Sequence, residues 1–288
     1  MLNGILIIDK PSDWTSHDVV AKLRHLLHEK RIGHAGTLDP MATGVLPVFI
    51  GRATRAVAFA AEREKEYFAT IRLGIVTDTQ DITGSVLESY PVSISKEQVE
   101  AVLGQFRGEI LQIPPMYSAI KRDGKKLYEL ARAGKSVYRE PRPITIYELE
   151  LLDQLSDCDF SFRVICSKGT YIRTLCHDIG ARLGCGGTLL ALRRSQAAGF
   201  TLAQSVTMEQ VSNTAPNCPL LPIESYFSEY PALIAPQETI PKILNGASFQ
   251  LSDTPDGTYR VFDEAGHFLM LGKAENGLLC TVKSFFEV

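Results

Sequence analysis

The chain has 288 residues, enough for one large domain or one with a small partner, and its 45% apolar and 22% charged residues exclude a disordered or fibrous protein. No apolar run approaches the roughly 20 residues of a membrane-spanning helix, and the N-terminus lacks the features of a secretory signal. Six cysteines without a C-x-x-C pair exclude a disulfide framework, so a cytoplasmic protein with reduced thiols is expected.

Taken in chain order, residues 6–8 read as a short buried strand. Ser16 is expected to cap a helix on which Val19, Val20, Leu23, Leu26 and Leu27 share one face. Alternation of Tyr67, Ala69, Ile71 and Leu73 predicts a half-buried strand. Ser95 and Gln98 form a capping-box pattern ahead of Val99, Val102, Leu103 and Phe106, which predicts a short amphipathic helix. Two β-rich runs, 144–152 and 160–166, read as a hairpin with a polar turn, followed by a helix over about 174–183 and a capped one opening at Thr207. The elements interleave without a strict β-α-β period, so the expected fold class is α+β on a mixed or antiparallel sheet. Beyond Pro231 a short helix and strands near 259–262, 268–271 and 278–285 are separated by turn signals, which predicts a small C-terminal β-barrel. The expected domains are 1–230 and 231–288.

The net charge of −3 speaks weakly against nucleic acid, but its distribution matters more. Between Lys121 and Arg142 lie eight basic residues against the acids Asp123, Glu129 and Glu140. Residues 168–194 add Lys168, Arg173, Arg182, Arg193 and Arg194 against Asp178 alone. Two basic surfaces on an acidic body fit either a footprint for a polyanion or a pair of solvated faces.

The most informative stretch is GHAGTLDPMATG, from Gly33 to Gly44. Its glycines supply turns or close backbone approach, and Pro40 biases Asp39 toward an extended backbone, so the loop can hold one carboxylate in a set pose. Alone, such a segment is more often a turn or cap than the seat of a nucleophile, so it needs support from elsewhere. A second stretch, SKGTYIRT from Ser167 to Thr174, joins a predicted strand to a predicted helix. If Arg173 meets Asp39, its permanent charge favours the ionised carboxylate. Adjacent Cys176 and His177 point apart on a helix and complete no metal-ligand set.

These two stretches, with IDKP at Ile8 to Pro11 and EYFATIRLG at Glu66 to Gly74, resemble the TruB family of transfer-RNA pseudouridine synthases in order and spacing. PPMYSAIK at Pro114 to Lys121 and LRR at Leu192 to Arg194 extend the resemblance over about residues 1–225. It implies a pseudouridine synthase catalytic domain and isomerisation of uridine 55 in the T-loop of transfer RNA, with no cofactor and no metal. By resemblance Asp39 is the nucleophile and Tyr67 the aromatic platform for a flipped uracil. Tyr171 contacts the catalytic centre and is a candidate to remove the C5 proton, with Arg173 beside it. His34 fills space vacated in the RNA, while Lys10 and Leu192 occupy pocket positions. Residues of about 117–143 resemble a mobile thumb that closes on RNA. The C-terminal barrel resembles a PUA RNA-binding domain, although this copy carries four bases against seven acids. The expected partner is transfer RNA alone, without membrane or guide RNA, and the expected state is a monomer.

Two other classes compete. A non-catalytic RNA-binding or RNA-folding protein would use the same pocket but has no need of a nucleophile. A glycoside hydrolase would pair Asp39 with Asp78 or Asp81, which the polar stretch TDTQD explains more simply as a loop.

Overall fold

The computed structural model describes residues 2–251 and 254–286. Its larger sheet is built from β1 (Gly4–Lys10), β2 (Ile32–His34), β3 (Thr43–Ile50), β4 (Lys65–Leu73), β5 (Gly108–Gln112), β6 (Arg142–Gln154), β7 (Asp159–Cys166), β8 (Gly187–Ala197) and β9 (Phe200–Thr201). The main order is β1–β3–β8–β4–β7–β6–β5, with β2 on β3 and β9 on β8. All neighbours are antiparallel except β8 and β3, so the sheet is mixed, as expected.

One face carries three helices, α1 (Ser16–Leu27), α2 (Lys96–Gly104) and α3 (Ile172–Leu183). Val19 and Leu23, Val99 and Leu103, and Leu175 and Ile179 pack there against Leu46, Ala69, Ile71, Phe162 and Leu189. At β1 and β3 the other face is buried too, by Ile5, Ile7, Val45 and Phe49 against the C-terminal part of the chain. Burial on both faces explains why these strands are apolar almost without alternation. Further along the sheet the same outer face is open, and Phe68 on β4 stands exposed between half-buried Glu66 and Thr70. The outer edge of β1 is covered by backbone bonds from Ile5 to Leu221 and from Asp9 and Ile7 to Val206.

Two helix starts differ from the sequence reading. Thr15, not Ser16, caps α1: its hydroxyl accepts from Asp18 N–H while the Asp18 carboxylate accepts from Thr15 N–H. Ser16 is turned inward instead, because the same short polar side chain is needed by the neighbouring loop. Helix α3 begins at Ile172, so Tyr171 is its cap residue and Arg173 lies in its first turn. The capped helices at Ser95 and Thr207 form as predicted.

Residues 113–141 leave the sheet between β5 and β6 and carry a small hairpin (Lys121–Arg122 with Lys125–Lys126) and the helix Leu127–Arg132. The C-terminal strands form a separate five-stranded sheet in the order Ala232–Ile234, Gly257–Phe262, Phe268–Glu275, Leu278–Ser284, Phe249–Gln250, with no pairing between its two end strands among the described residues. Of the acids counted in that region, Asp253 and Glu287 lie outside the described residues. The sheet is docked on the larger body: Phe227 packs edge-on to Phe59 and against Phe268 and Phe285, and Arg55 donates to the Ser284 carbonyl. No helix among the described residues is long and apolar enough to cross a membrane.

Candidate active site

Asp39 and Arg173, 134 residues apart, meet. Arg173 Nε donates to Asp39 Oδ2 at 2.8 Å and Nη2 to Oδ1 at 3.0 Å, a bidentate fork. The partners are unequally placed: the Arg173 side chain is 4% exposed and that of Asp39 34%. A buried cation therefore presents an accessible carboxylate. Two further guanidinium hydrogens go to the Thr79 and Tyr117 carbonyls at 3.0 and 2.9 Å, which orients the fork.

The loop around Asp39 is pinned on both sides. Ser16 Oγ accepts from Leu38 N–H at 2.9 Å and donates to the Leu38 carbonyl at 3.2 Å. After Asp39, the Pro40 carbonyl accepts from Asp13 N–H at 2.9 Å and from Lys10 Nζ at 3.1 Å. Lys10 is fully buried and also donates to the Pro11 and Trp14 carbonyls. Burial lowers its pKa to about 8, against the opposing pull of Asp39.

Two more basic residues complete the frame: Lys65, and Arg194, which the sequence reading counted in a basic surface but which is buried. Arg194, fully buried on β8, donates to the Gly36 carbonyl at 2.9 Å and to Val45 at 2.8 Å, tying together both ends of the loop. Its strand runs so close to Gly44 that a β-carbon there would overlap the Arg194 carbonyl, and Gly44 has a φ of +105°. Lys65 on β4 is buried, hydrogen-bonded to the Ala61 and Arg63 carbonyls, and held below its usual pKa chiefly by burial. The signal was present: Lys65 continues the alternation of Tyr67, Ala69 and Ile71, and Arg194 that of Leu192.

A cavity of about 360 Å³ opens on Asp39 and Arg173, walled by Tyr67, Tyr171, Leu192, Lys65 and Arg194, with Tyr117 and Tyr128 from the 113–141 excursion. The volume is within the usual range for a small-ligand site. Of the sequence-predicted residues, Asp39, Tyr67, Tyr171, Arg173 and Leu192 meet at this wall, whereas Lys10 and His34 do not reach it. His34 ends β2 opposite Val48, its Nδ1 buried without a hydrogen-bond partner among the described residues; burial holds its pKa below the usual value. Burial pushes the phenols of Tyr67 and Tyr171 upward, with Arg194 opposing at Tyr67.

Neither Asp78 nor Asp81, the partners a two-carboxylate hydrolase would need, lines the cavity with Asp39. Asp81 is buried, accepts from Thr79 Oγ and Thr83 N–H, and stands 3.8 Å from the Nε of Arg173 that also serves Asp39. The Asp78 carboxylate accepts from Ser85 N–H. Among the described residues no group of three or more His, Cys, Asp and Glu side chains is placed to hold a metal.

The same arrangement of elements occurs in solved structures. An H/ACA RNP bound to a substrate RNA containing 2'-deoxyuridine superposes with a TM-score of 0.70 at 23% identity, covering 99% of this chain and 85% of that one. A Cbf5–Nop10–Gar1 complex does so with a TM-score of 0.72 at 25% identity, over 98% and 85%. These likenesses define the fold, and the family models define the class, a pseudouridine synthase. Residues 24–172 match the TruB family pseudouridylate synthase N-terminal domain, residues 173–228 match the tRNA pseudouridylate synthase B C-terminal domain, and the chain belongs to the TruB family. Relatives include the tRNA pseudouridine synthase B of Clostridium kluyveri, 43% identical over 99% of this chain and 100% of that protein. That of Azoarcus sp. (strain BH72) is 45% identical over 97% and 93%. The join between the two matches falls inside the first turn of α3, within the larger body, and marks no structural division.

Proposed function

We propose that this enzyme isomerises uridine to pseudouridine in transfer RNA, at position 55 of the T-loop. The observation that carries the reading is the Asp39–Arg173 fork at a cavity walled by Tyr67, Tyr171 and Leu192. In this reaction the N1–C1′ bond breaks, the uracil turns while bound, and a C5–C1′ bond forms; the C5 proton leaves and N1 gains one. The atoms balance without redox chemistry or an added group.

A stacked uridine must first leave the RNA loop, at a cost of about a few kcal/mol. The Tyr67 ring returns on the order of 1–3 kcal/mol as a stacking platform, with Leu192 packing beside it. Asp39, fixed by Arg173, is the nucleophile. Tyr171, at the cavity wall beside Arg173, is the candidate to remove the C5 proton; burial pushes its phenol upward, so it needs help from its surroundings to act as a base. The basic excursion at about 117–143 closes on the RNA. The unit 1–230 is the catalytic domain and 231–288 a PUA-like RNA-binding domain. The enzyme works in the cytoplasm as a monomer, without guide RNA or cofactor, and His34 fills the space from which the base is drawn.

The test is to incubate purified protein alone with an unmodified transfer-RNA transcript and map pseudouridine by chemical labelling, beside an Asp39→Asn variant. Modification at position 55 by the wild type, lost in the variant, is the expected result. Tight binding without modification by either protein would overturn the reading in favour of an RNA-binding role.

A further inference from the structure

The excursion of residues 113–141 leaves the larger sheet where Gln112, the last residue of β5, pairs with Arg142, the first of β6. Gln112 is only 2% exposed although its strand is an exposed sheet edge. Its side chain reaches the first residue of the α3 start rather than solvent: Tyr171 N–H donates to Gln112 Oε1 at 2.8 Å, and Gln112 Nε2 donates to the Tyr171 carbonyl at 3.1 Å. One amide side chain thus engages both backbone groups of Tyr171, as a neighbouring strand would. Five residues beyond Gln112, the Tyr117 carbonyl accepts from Arg173 Nη2, the same nitrogen that holds Asp39 Oδ1. The excursion therefore meets the site twice, at its root through Gln112 and near its start through Tyr117.

We infer that Gln112 is a positioning residue for the chemical step, coupling the excursion that closes on RNA to the placement of Tyr171. The inference rests on the function proposed above. Gln112 does not itself line the cavity or contact Asp39, so it acts through Tyr171, which does line it. The amide clamp links the root of the excursion that seats on substrate to the Tyr171 backbone. Tyr117 does the same for the Arg173 fork. Removing the clamp leaves the RNA-contacting groups in place and frees the tyrosine they are meant to align.

The experiment measures single-turnover isomerisation of an unmodified transfer RNA at saturating enzyme, together with RNA affinity and thermal melting. The proteins are wild type, Gln112→Met, Gln112→Glu, Tyr171→Phe and the Gln112→Met/Tyr171→Phe pair. Methionine keeps the bulk and removes both hydrogen bonds; glutamate keeps the acceptor for Tyr171 N–H and loses the donor. Gln112→Met is expected to slow the step at least about tenfold with Kd for RNA within about twofold of wild type, since small misplacements of reacting groups are costly. Gln112→Glu should fall between the two. In the Tyr171→Phe background the same substitution should cost far less, because the group it aligns is already gone. An unchanged rate, weaker RNA binding with an unchanged saturated rate, or fully multiplicative losses would each overturn the inference. If Gln112→Met melts below the assay temperature, Gln112→Glu decides: a slowed step with native melting supports the role, a wild-type rate removes it. Inactive wild-type protein would defeat the proposed function and this inference with it, whereas active wild type with unaffected variants defeats this inference alone.

Discussion

At Asp39 both carboxylate oxygens are engaged by a single arginine that is itself buried, so the carboxylate's pose depends on the shape of its partner as much as on its charge. Lysine at 173 would supply the charge without the planar fork. Arg173→Lys is expected to lower the saturated isomerisation rate by roughly 100-fold or more; a near-native rate would show that charge alone suffices. Lys10 offers a pH signature. Its folded pKa of about 8 lies below the unfolded value near 10.5, so between these two the unfolded chain binds more protons and the folded state gains stability as pH rises. Below about pH 8 both forms are charged and the full cost of burying the ammonium is present. Wild type should therefore gain on Lys10→Met in melting experiments as pH is raised from 7 to 10. Over the same interval activity should fall, since the neutral amine has one hydrogen fewer for the Pro11, Trp14 and Pro40 carbonyls. A melting difference independent of pH would remove the argument.

Elements act here by what they hold at their ends. Helix α1 gives its first residue, Ser16, to the Leu38 peptide unit, while Thr15 takes over the capping. Ser16→Ala leaves a buried N–H and carbonyl without that partner, and should cost about 1–3 kcal/mol in denaturant unfolding with a parallel loss of activity. Lost stability with intact activity would mean that Lys10 and Asp13 suffice to fix the loop. Strand β8 does comparable work through Arg194, and its close approach to β3 at Gly44 is possible only because that position has no side chain.

On the scale of the whole molecule, the two sheets are joined by an apolar seam rather than by a linker. Phe227 is buried among Phe59, Tyr226, Tyr230, Phe268 and Phe285, drawn from both bodies. Its truncation to alanine should cost about 3–5 kcal/mol, as for other buried aromatic residues. Wild type is accordingly expected to melt in one cooperative transition, and Phe227→Ala to melt earlier with its C-terminal sheet exposed to proteolysis first. Two separate wild-type transitions would show that the seam does not couple the bodies.

How much was legible follows the range of the interactions. Alternation along β4, the capping boxes at Ser95 and Thr207, and the mixed-sheet α+β class are written in neighbouring residues, where period and cap chemistry act locally. The family match reached the cavity wall at Asp39, Tyr67, Tyr171, Arg173 and Leu192 because those residues sit in motifs of recognisable spacing. It did not reach Lys65 or Gln112, gave Arg194 no role although its motif ends there, and missed the inward turn of Ser16. Arg194, Gln112 and Ser16 satisfy backbone groups far away in the chain and Lys65 those of the turn just before it, and the local pattern of a buried polar side chain is the same whether its partner is water or a carbonyl. By itself the sequence indicated five residues of the cavity wall and the principal strands and helices, since both depend on short-range periodicity and motif order. Only the tertiary structure decided how the loop bearing Asp39 is held, because the buried hydrogen bonds that hold it join segments from opposite ends of the larger body and exist only once the sheet has brought them together.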